Sequence, residues 1–464
     1  MKLWGGRFEG EIDPDFFTFS ESFSVDHRLV LYDIRVNRAY VAELRSAGIL
    51  EGSEESSLLE ALEKLAQQVE TDPNWAEKES AEDIHTWVEN RLLQETPAAG
   101  KLRTGRSRND LVATLARMWV KDAADNMQRL VVDLMAALLS QAEKNAKAIL
   151  PGYTHLQRAQ AILWPHFLLA YCEMLRRDWR RLRDCAERAD ELPMGSGALA
   201  GASIPINRER LRKELGFARL SQNSLDATSD RDFMVEAMFA CALLATHLSR
   251  MAEDLILYGS SEFGFVELAD AFSTGSSLMP HKKNPDSLEL IRGRAGRVQG
   301  RLSGLLTTLK GLPSSYDRDL QEDKAALFDA VDTTAGSLRV MARVVGTLQI
   351  NEARMREAAE AGFLTATEIA EELARRGVPF AEAHDTVGGL VRYCVKKKKT
   401  FAELTDEEGK KFTPLWDDAL QRTATSLESA LEKKNLTGGT SPSQVSGQIQ
   451  KLTKELAELR KSTP

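Results

Sequence analysis

Four stretches of this sequence carry polar and ionisable side chains that a plain structural loop does not need. The first, Thr104-Gly105-Arg106-Ser107-Arg108-Asn109-Asp110, stands just ahead of a long run without glycine or proline. Free amides at a helix N-terminus attract anions, and two arginines add to that attraction. An ordinary helix cap with solvated arginines would have the same composition. The second, Pro151-Gly152-Tyr153-Thr154-His155-Leu156-Gln157, puts His155 at a loop-to-helix junction. An unperturbed histidine titrates near neutrality and suits proton transfer, although a lone histidine is more often structural. The third is Ser273-Thr274-Gly275-Ser276-Ser277-Leu278-Met279-Pro280-His281-Lys282-Lys283-Asn284-Pro285, with Glu289 on the helix expected to follow. A hydroxyl-rich loop beside cations can close over an anionic substrate and exclude water; a plain surface loop is the alternative. The fourth runs from Tyr316 through Gln321 to Lys324, where Lys324 offers another cation to carboxylates or belongs to an exposed helix start.

Several chemistries lack their motifs. There is no GxxxxGK[ST] and no HExxH, and no histidine cluster has metal-ligand spacing. Gly195-Ser196-Gly197-Ala198-Leu199-Ala200-Gly201 is one residue off GxGxxG and follows a helical pattern rather than a strand. No GxSxG elbow supports a hydrolase. What remains is acid/base chemistry without cofactor or metal on a carboxylate-rich substrate.

The elements that must hold these loops are helices. Neither glycine nor proline occurs in 111–150 or 217–258. Leu111, Leu115, Met118, Trp119, Leu130, Leu134 and Leu138 recur at three- and four-residue steps, one face of a helix. Asn109 and Asp110 are read as its N-cap, and Pro151-Gly152 as its stop, giving an unbroken helix of roughly 60 Å. Further helices are expected over 157–192 (with Pro165 as a kink or start), from 229 or 230 to 258, from 286 and from 320. Shorter ones are expected at 30–47, 54–69 and 444–461. Period-two alternation is scarce, so little sheet is expected. The division read along the chain is 1–110, mixed and mainly helical; 111–360, a central long-helix bundle; and 361–464, a small helical domain. Apolar stripes on more than one helix face favour packing against copies of the same chain.

Composition narrows the class. The 464 residues are 43% hydrophobic and 28% charged, with a net charge of −8. That is a globular balance and a poor one for nucleic acid. Cys172, Cys185, Cys241 and Cys394 show no CxxC spacing and are expected to be buried thiols. The N-terminus lacks the apolar core of a signal peptide, and no uninterrupted apolar run approaches membrane-spanning length. A cytoplasmic, membrane-independent protein is expected. The basic run 396–399 is read as a solvated face rather than a binding site.

Together these motifs are recognisable. Gly275 to Pro285 resembles the signature loop of the fumarase/aspartase superfamily, whose members cleave C–N or C–O bonds and release fumarate. A narrower resemblance, to the argininosuccinate lyase family and its lens relative delta-crystallin, rests on more of the chain. It is carried by Lys2-Leu3-Trp4-Gly5-Gly6-Arg7-Phe8, Glu82-Asp83-Ile84-His85, Thr104 to Asp110, Pro151 to Gln160, Leu225 to Phe233, and Gly438-Gly439-Thr440. It implies a three-domain, all-α subunit in a homotetramer with a twenty-helix core, each active site being built from three subunits. The implied reaction is reversible cleavage of argininosuccinate to arginine and fumarate, the last step of arginine biosynthesis. By the same resemblance Ser276 is the base and His155 the acid, directly or through a water, with the reverse division also open. Lys282 and Asn284 hold the carboxylate that becomes a dianion, and Glu289 orients His155. Ser22, Arg108, Asn109, Thr154, Tyr316, Gln321 and Lys324 match substrate-contacting positions. Asp83 and His85 match a motif near the site without a defined role. His281 stands where many relatives carry glutamine and adds a titratable group to the loop. A sibling fumarate-releasing lyase and a catalytically inert, crystallin-like structural protein are the competing readings. The segments 104–110 and 3–8 argue against the first, and the presence of Ser276, His155, Lys282 and Glu289 against the second.

Overall fold

The computed structural model describes residues 10 and 12–462. The segment 3–8 lies outside the described residues. Among those described there are nineteen α-helices and only three two-stranded sheets, so the architecture is all-α. Five helices dominate: Arg108–Lys144, Trp164–Ala189, Asp232–Gly259, Asp286–Leu309 and Asp323–Thr347. The chain divides into two compact units. One comprises Met1–Gln128, Arg180–Leu243 and Gly296–Ala335; the other comprises Arg129–Trp179, Leu244–Ala295 and Gly336–Pro464.

In the first unit, helix Val30–Ser46 packs against Gly52–Thr71, Ile84–Glu95 and Arg208–Leu215. Val36, Tyr40, Val41 and Leu44 are fully covered, the apolar face that this helix turns to its neighbours. Helix Arg108–Lys144 starts one residue earlier than its expected cap. Ser107 takes that place, its Oγ accepting the Asn109 N–H at 3.2 Å. Its own N–H donates to Asp110 Oδ1 at 3.0 Å, a reciprocal cap that puts Arg108 in the first helical turn. Arg231 and Asp323 form an ion pair at 2.5 Å with almost no solvent exposure on either side chain.

In the second unit the expectation for 145–163 fails. Helix Arg108–Lys144 has 37 residues, about 55 Å, and ends before 150. Residues Ile149–Thr154 and Gln157–Leu163 then pair as an antiparallel hairpin, from Ile149↔Leu163 to Thr154↔Gln157, with an irregularity between Pro151 and Tyr153. Helix begins only at Trp164, with Pro165 in its first turn, where a missing N–H is tolerated. The Gln and Ala residues of 157–161 suit a helix locally, but partner-strand hydrogen bonds and the burial of Ala161 and Leu163 override that preference. His155 therefore lies at a hairpin tip and not at a helix start.

All four cysteines are buried, free thiols. Helix Asp232–Gly259 is long and apolar enough to cross a membrane, and 56% of its most apolar window is buried in the fold. The helices from 366 to 425 surround Trp416, Leu420, Ile369 and Leu373 in a core of their own.

The Gly438-Gly439-Thr440 motif ties the hairpin to the C-terminal segment, because Thr440 Oγ1 accepts the Leu163 N–H at 2.9 Å. A Cβ on Gly439 would lie 2.2 Å from the Lys434 carbonyl oxygen, which is backbone and cannot swing aside. Gly439→Ala should therefore lower stability by about 1–3 kcal/mol, the usual range for overpacking. A urea midpoint equal to that of the parent chain would contradict this.

Candidate active site

The residues singled out from sequence fall into three groups. The largest lies in the first unit around a cavity of about 150 Å³ lined by Ser22, Asp26, Glu82, Asp83, His85, Arg108, Asn109, Val112, Tyr316, Arg318, Gln321 and Lys324. Eight of those twelve were expected. Asp83 caps helix Ile84–Glu95, accepting the Thr86 N–H at 2.7 Å and its hydroxyl at 2.6 Å. It also meets Arg108 Nη1 at 3.1 Å. Arg108 Nη2 donates to Thr86 Oγ1 at 2.6 Å. Asn109 Nδ2 donates to the Ala198 carbonyl at 3.1 Å. Lys324 Nζ donates at 2.9 Å to Asp323, whose other oxygen takes Arg231. Gln321 donates to the Ser20 carbonyl at 3.1 Å.

The turn before helix Arg108–Lys144 needs its glycine. Gly105 has φ +76°, and a Cβ there would sit 2.3 Å from Ile204 Cγ1. The loop is held from below by Asp110, which has no solvent exposure. Its Oδ2 accepts N–H groups from Gly197 at 2.9 Å and Gly195 at 3.1 Å.

The cavity is charged in both senses. Burial pushes Asp26 up to about 6, despite the nearby His85 and the hydrogen bond from Ser22. Ser22 Oγ donates to Asp26 Oδ2 at 2.7 Å, and the Ile84 N–H to Oδ1 at 3.0 Å. Burial also acts on Asp83, but His85, Arg108 and Thr86 outweigh it and hold the carboxyl below its usual range. For His85, burial opposes the charge, and the hydrogen bond and charge of Asp33 prevail, keeping the imidazole protonated above its ordinary value. Asp26 and Asp33 were not found from sequence, and Arg318 and Asp323 lie in the fourth polar stretch without having been picked out of it. The spacing Ser22 to Asp26, one helical turn, was a signal for the first; Asp33 and His85 are 52 residues apart, and no local pattern links them.

The second group is in the second unit. Backbone N–H···O bonds between Thr274 and Asn284, at 3.1 and 2.7 Å, close the neck of the 273–285 loop. Inside it, Ser276 Oγ accepts the N–H groups of Leu278 at 3.3 Å and Met279 at 3.0 Å. Lys283 is engaged by Glu267 at 2.9 Å and Asp270 at 2.8 Å. Lys282, Asn284 and Glu289 line a broad cavity of about 910 Å³ together with His281 and Lys283.

The third group, Thr154 and His155, is exposed at the hairpin tip. His155 and Leu156 have φ of 55° and 56°, the left-handed pair of a tight two-residue turn. Neighbouring Tyr153 anchors the strand among Tyr258, Phe263 and Phe265. Among the described residues of one chain, Glu289 and His155 form no ion pair, so the expected orienting contact is absent within the subunit.

Comparison with known proteins gives a consistent result. A family model described as Lyase matches residues 6–300, and one described as Argininosuccinate lyase C-terminal matches residues 363–432. The chain is 47% identical to an argininosuccinate lyase of Pelotomaculum thermopropionicum, over 98% of this chain and 99% of the relative. It is 46% identical to one from Symbiobacterium thermophilum, covering 97% of each. Among solved structures, EDDS lyase in complex with formate aligns with a TM-score of 0.85 at 28% identity, over 98% of this chain and 92% of that one. A class II fumarase from Schistosoma mansoni shares the fold at a TM-score of 0.74 and 16% identity, over 87% and 90%.

The buried acids set a pH dependence. Asp26 and Asp110 are both pushed up to about 6 by burial, against about 3.9 in an unfolded chain. Between pH 6 and 4 the native chain binds protons that the unfolded chain does not, so stability rises as pH falls through that window. Each group contributes a slope of up to about 1.4 kcal/mol per pH unit. His85 acts in the same direction at higher pH: its contribution is complete below about 6.5 and is lost as pH rises through its raised folded value. The urea midpoint should be higher at pH 5.5 than at pH 8. A midpoint that climbs over that interval would be incompatible with these buried carboxylates.

Proposed function

The chain belongs to the argininosuccinate lyase family, and from that premise we infer how its three groups of residues divide the work of cleaving argininosuccinate to arginine and fumarate. The reaction is an elimination across a carbon–nitrogen bond. A proton leaves the succinyl carbon beside a carboxylate, the carbanion spreads its charge into that carboxylate as a dianion, and the guanidino nitrogen is protonated as it departs.

Ser276 is the base. A free serine hydroxyl is far too weak for this, and the observation that carries the assignment is the pair of N–H groups, Leu278 and Met279, directed at its Oγ. Such donors stabilise an alkoxide and lower the pKa of the hydroxyl. Lys282 and Asn284 hold the dianion; fixed cations and donors facing developing charge are the usual source of most rate enhancement. His155 is the acid, and Glu289 sustains its charge. Ser22, Arg108, Asn109, Thr154, Tyr316, Gln321 and Lys324 bind the remainder of the substrate. The mixture of cations and carboxylates around Arg108 and Lys324 suits a ligand that has both carboxylates and a guanidinium.

The complete site is assembled from three chains of a homotetramer. The lack of an ion pair between His155 and Glu289 among the described residues of one chain supports this, as does the surface of helix Asp286–Leu309, where Leu290 is 57% and Leu306 47% exposed. Gly293, Gly296, Gly300 and Gly304 on the same helix leave space that a neighbouring helix can enter closely. The segment 111–360 supplies that tetramer core. Four buried thiols suit a reducing cytoplasm.

Fumarate formation is followed by the ultraviolet absorbance of its conjugated double bond. Argininosuccinate should give signal, and adenylosuccinate and malate none. Ser276→Ala and His155→Asn should each lose about 10²–10⁴-fold in turnover, the range for a positioned acid or base, while light scattering still reports a tetramer. A near-normal rate in either would overturn that residue's role. Inactive Ser276→Ala and Lys324→Met chains, dissociated and reassembled together, should regain activity because mixed tetramers contain some intact sites. Persistent inactivity of the mixture would contradict a shared site.

A further inference from the structure

His85 sits between the substrate cavity and a smaller cavity of about 40 Å³ that has His85, Arg108, Asp33 and Asn37 among its lining residues. Its Nδ1–H donates to Asp33 Oδ2 at 2.5 Å, and the two side chains are 7% and 1% exposed. The second Asp33 oxygen is also committed: Asn37 Nδ2 donates to Oδ1 at 2.6 Å and to the Asp33 carbonyl at 3.0 Å. Asp33 and Asn37 are one turn apart on helix Val30–Ser46, so the carboxylate cannot rotate away from the ring. Asp33 lines the smaller cavity and not the substrate cavity, and of the two side chains bonded to its carboxylate, His85 and Asn37, only His85 reaches the substrate cavity.

We propose that Asp33 is a positioning residue for this active site. It fixes the His85 ring, assigns the Nδ1 proton and leaves Nε2, which has no hydrogen bond among the described residues, as a fixed N–H donor toward a substrate carboxylate. A carboxylate behind a histidine ordinarily does this: it sets the tautomer and orientation of the ring and favours the charged form. Asp26 and Asp83 add negative charge on the cavity side of the ring, and Glu89, Arg103, Arg106 and Arg108 surround the smaller cavity. Within this set Asp33 is the acid bonded to the ring, and the distance and burial of that bond distinguish it from the others. Arg108 and Lys324 then act beside a third positive group whose place is set by a residue that never meets the substrate.

The inference rests on the argininosuccinate reading, which wild-type turnover tests on its own. The proposal itself is read from ratios among Asp33→Asn, His85→Asn and the double variant. Asp33→Asn keeps the shape and removes the charge. It should lower kcat/KM by about tenfold or more, as loss of an outer partner of a functional histidine does. His85→Asn should lower it at least as far, and the double variant should match His85→Asn within about twofold, because independent sites would instead multiply their losses. Unchanged melting temperatures and tetramer assembly exclude a collapse common to both. A double variant that shows the product of the single losses, or Asp33→Asn with wild-type rates, overturns the proposal. If Asp33→Asn fails to assemble, Asn37→Ala is the second test, since it frees the carboxylate without discharging it. A severalfold loss in the parent and none in the His85→Asn background supports the clamp; equal losses in both backgrounds overturn it.

Discussion

Asp110 accepts hydrogen bonds from the backbone N–H groups of Ser107, Gly195 and Gly197 while fully withdrawn from solvent. An ionised carboxylate in that position is unfavourable unless every oxygen is engaged, and three N–H donors make the burial tolerable. The same three bonds determine where helix Arg108–Lys144 begins, bring the 193–197 turn beneath it, and aim Arg108 and Asn109 in the first turn. Arg208 completes the clamp by donating to the carbonyls of Met194, Leu192 and Ser221. Gly195 at φ +97° and Gly197 at φ +60° present their amides in a conformation that side-chain-bearing residues adopt at a cost. A near-match to a dinucleotide motif thus turns out to be a seat for a buried acid.

That arrangement recurs through the first unit. Arg108 is held by Asp83 and Glu82, Lys324 by Asp323, and His85 by Asp33. Each cation that faces the cavity has an acid behind it or beside it. The acids prevent the cations from repelling one another before the ligand arrives, and they limit the rotamers each can sample. Electrostatic preorganisation of this kind requires no rearrangement at the moment of reaction. The loop with Ser276 follows another principle, using main-chain amides instead of side-chain charge, which suits a segment whose side chains are largely exposed.

The sequence was most legible where periodicity was long and punctuation clear. The helix expected from 286 begins at Asp286, and those expected at 30–47 and 54–69 are helices Val30–Ser46 and Gly52–Thr71. Of the eight cavity residues anticipated, Arg108, Asn109, Tyr316, Gln321 and Lys324 stand in polar stretches at helix starts and are visible locally, whereas Ser22, Asp83 and His85 came from the family resemblance alone. The hairpin at 149–163 was not visible locally, since its stability comes from pairing across a turn rather than from any preference of Gln157, Arg158 or Ala159. Asp33 was missed, and Asp323 was not picked out of its polar stretch, for a related reason. Each is an ordinary acidic residue on a helix until the fold brings His85 or Arg231 against it, and contacts across 52 and 92 residues leave no local trace.

The tip of that hairpin has a consequence for anyone who would make this molecule more robust. His155 and Leu156 occupy left-handed backbone positions for which Asn-Gly is the preferred pair, and each non-glycine residue there is disfavoured by about 1–2 kcal/mol. A stabilising redesign guided by turn statistics would choose this dipeptide early, and the new hairpin would be firmer. It would also lack its imidazole. On the acid role proposed above for His155, heat tolerance and turnover are alternative outcomes of one substitution at this turn, and the histidine has to be specified as fixed before any such optimisation begins.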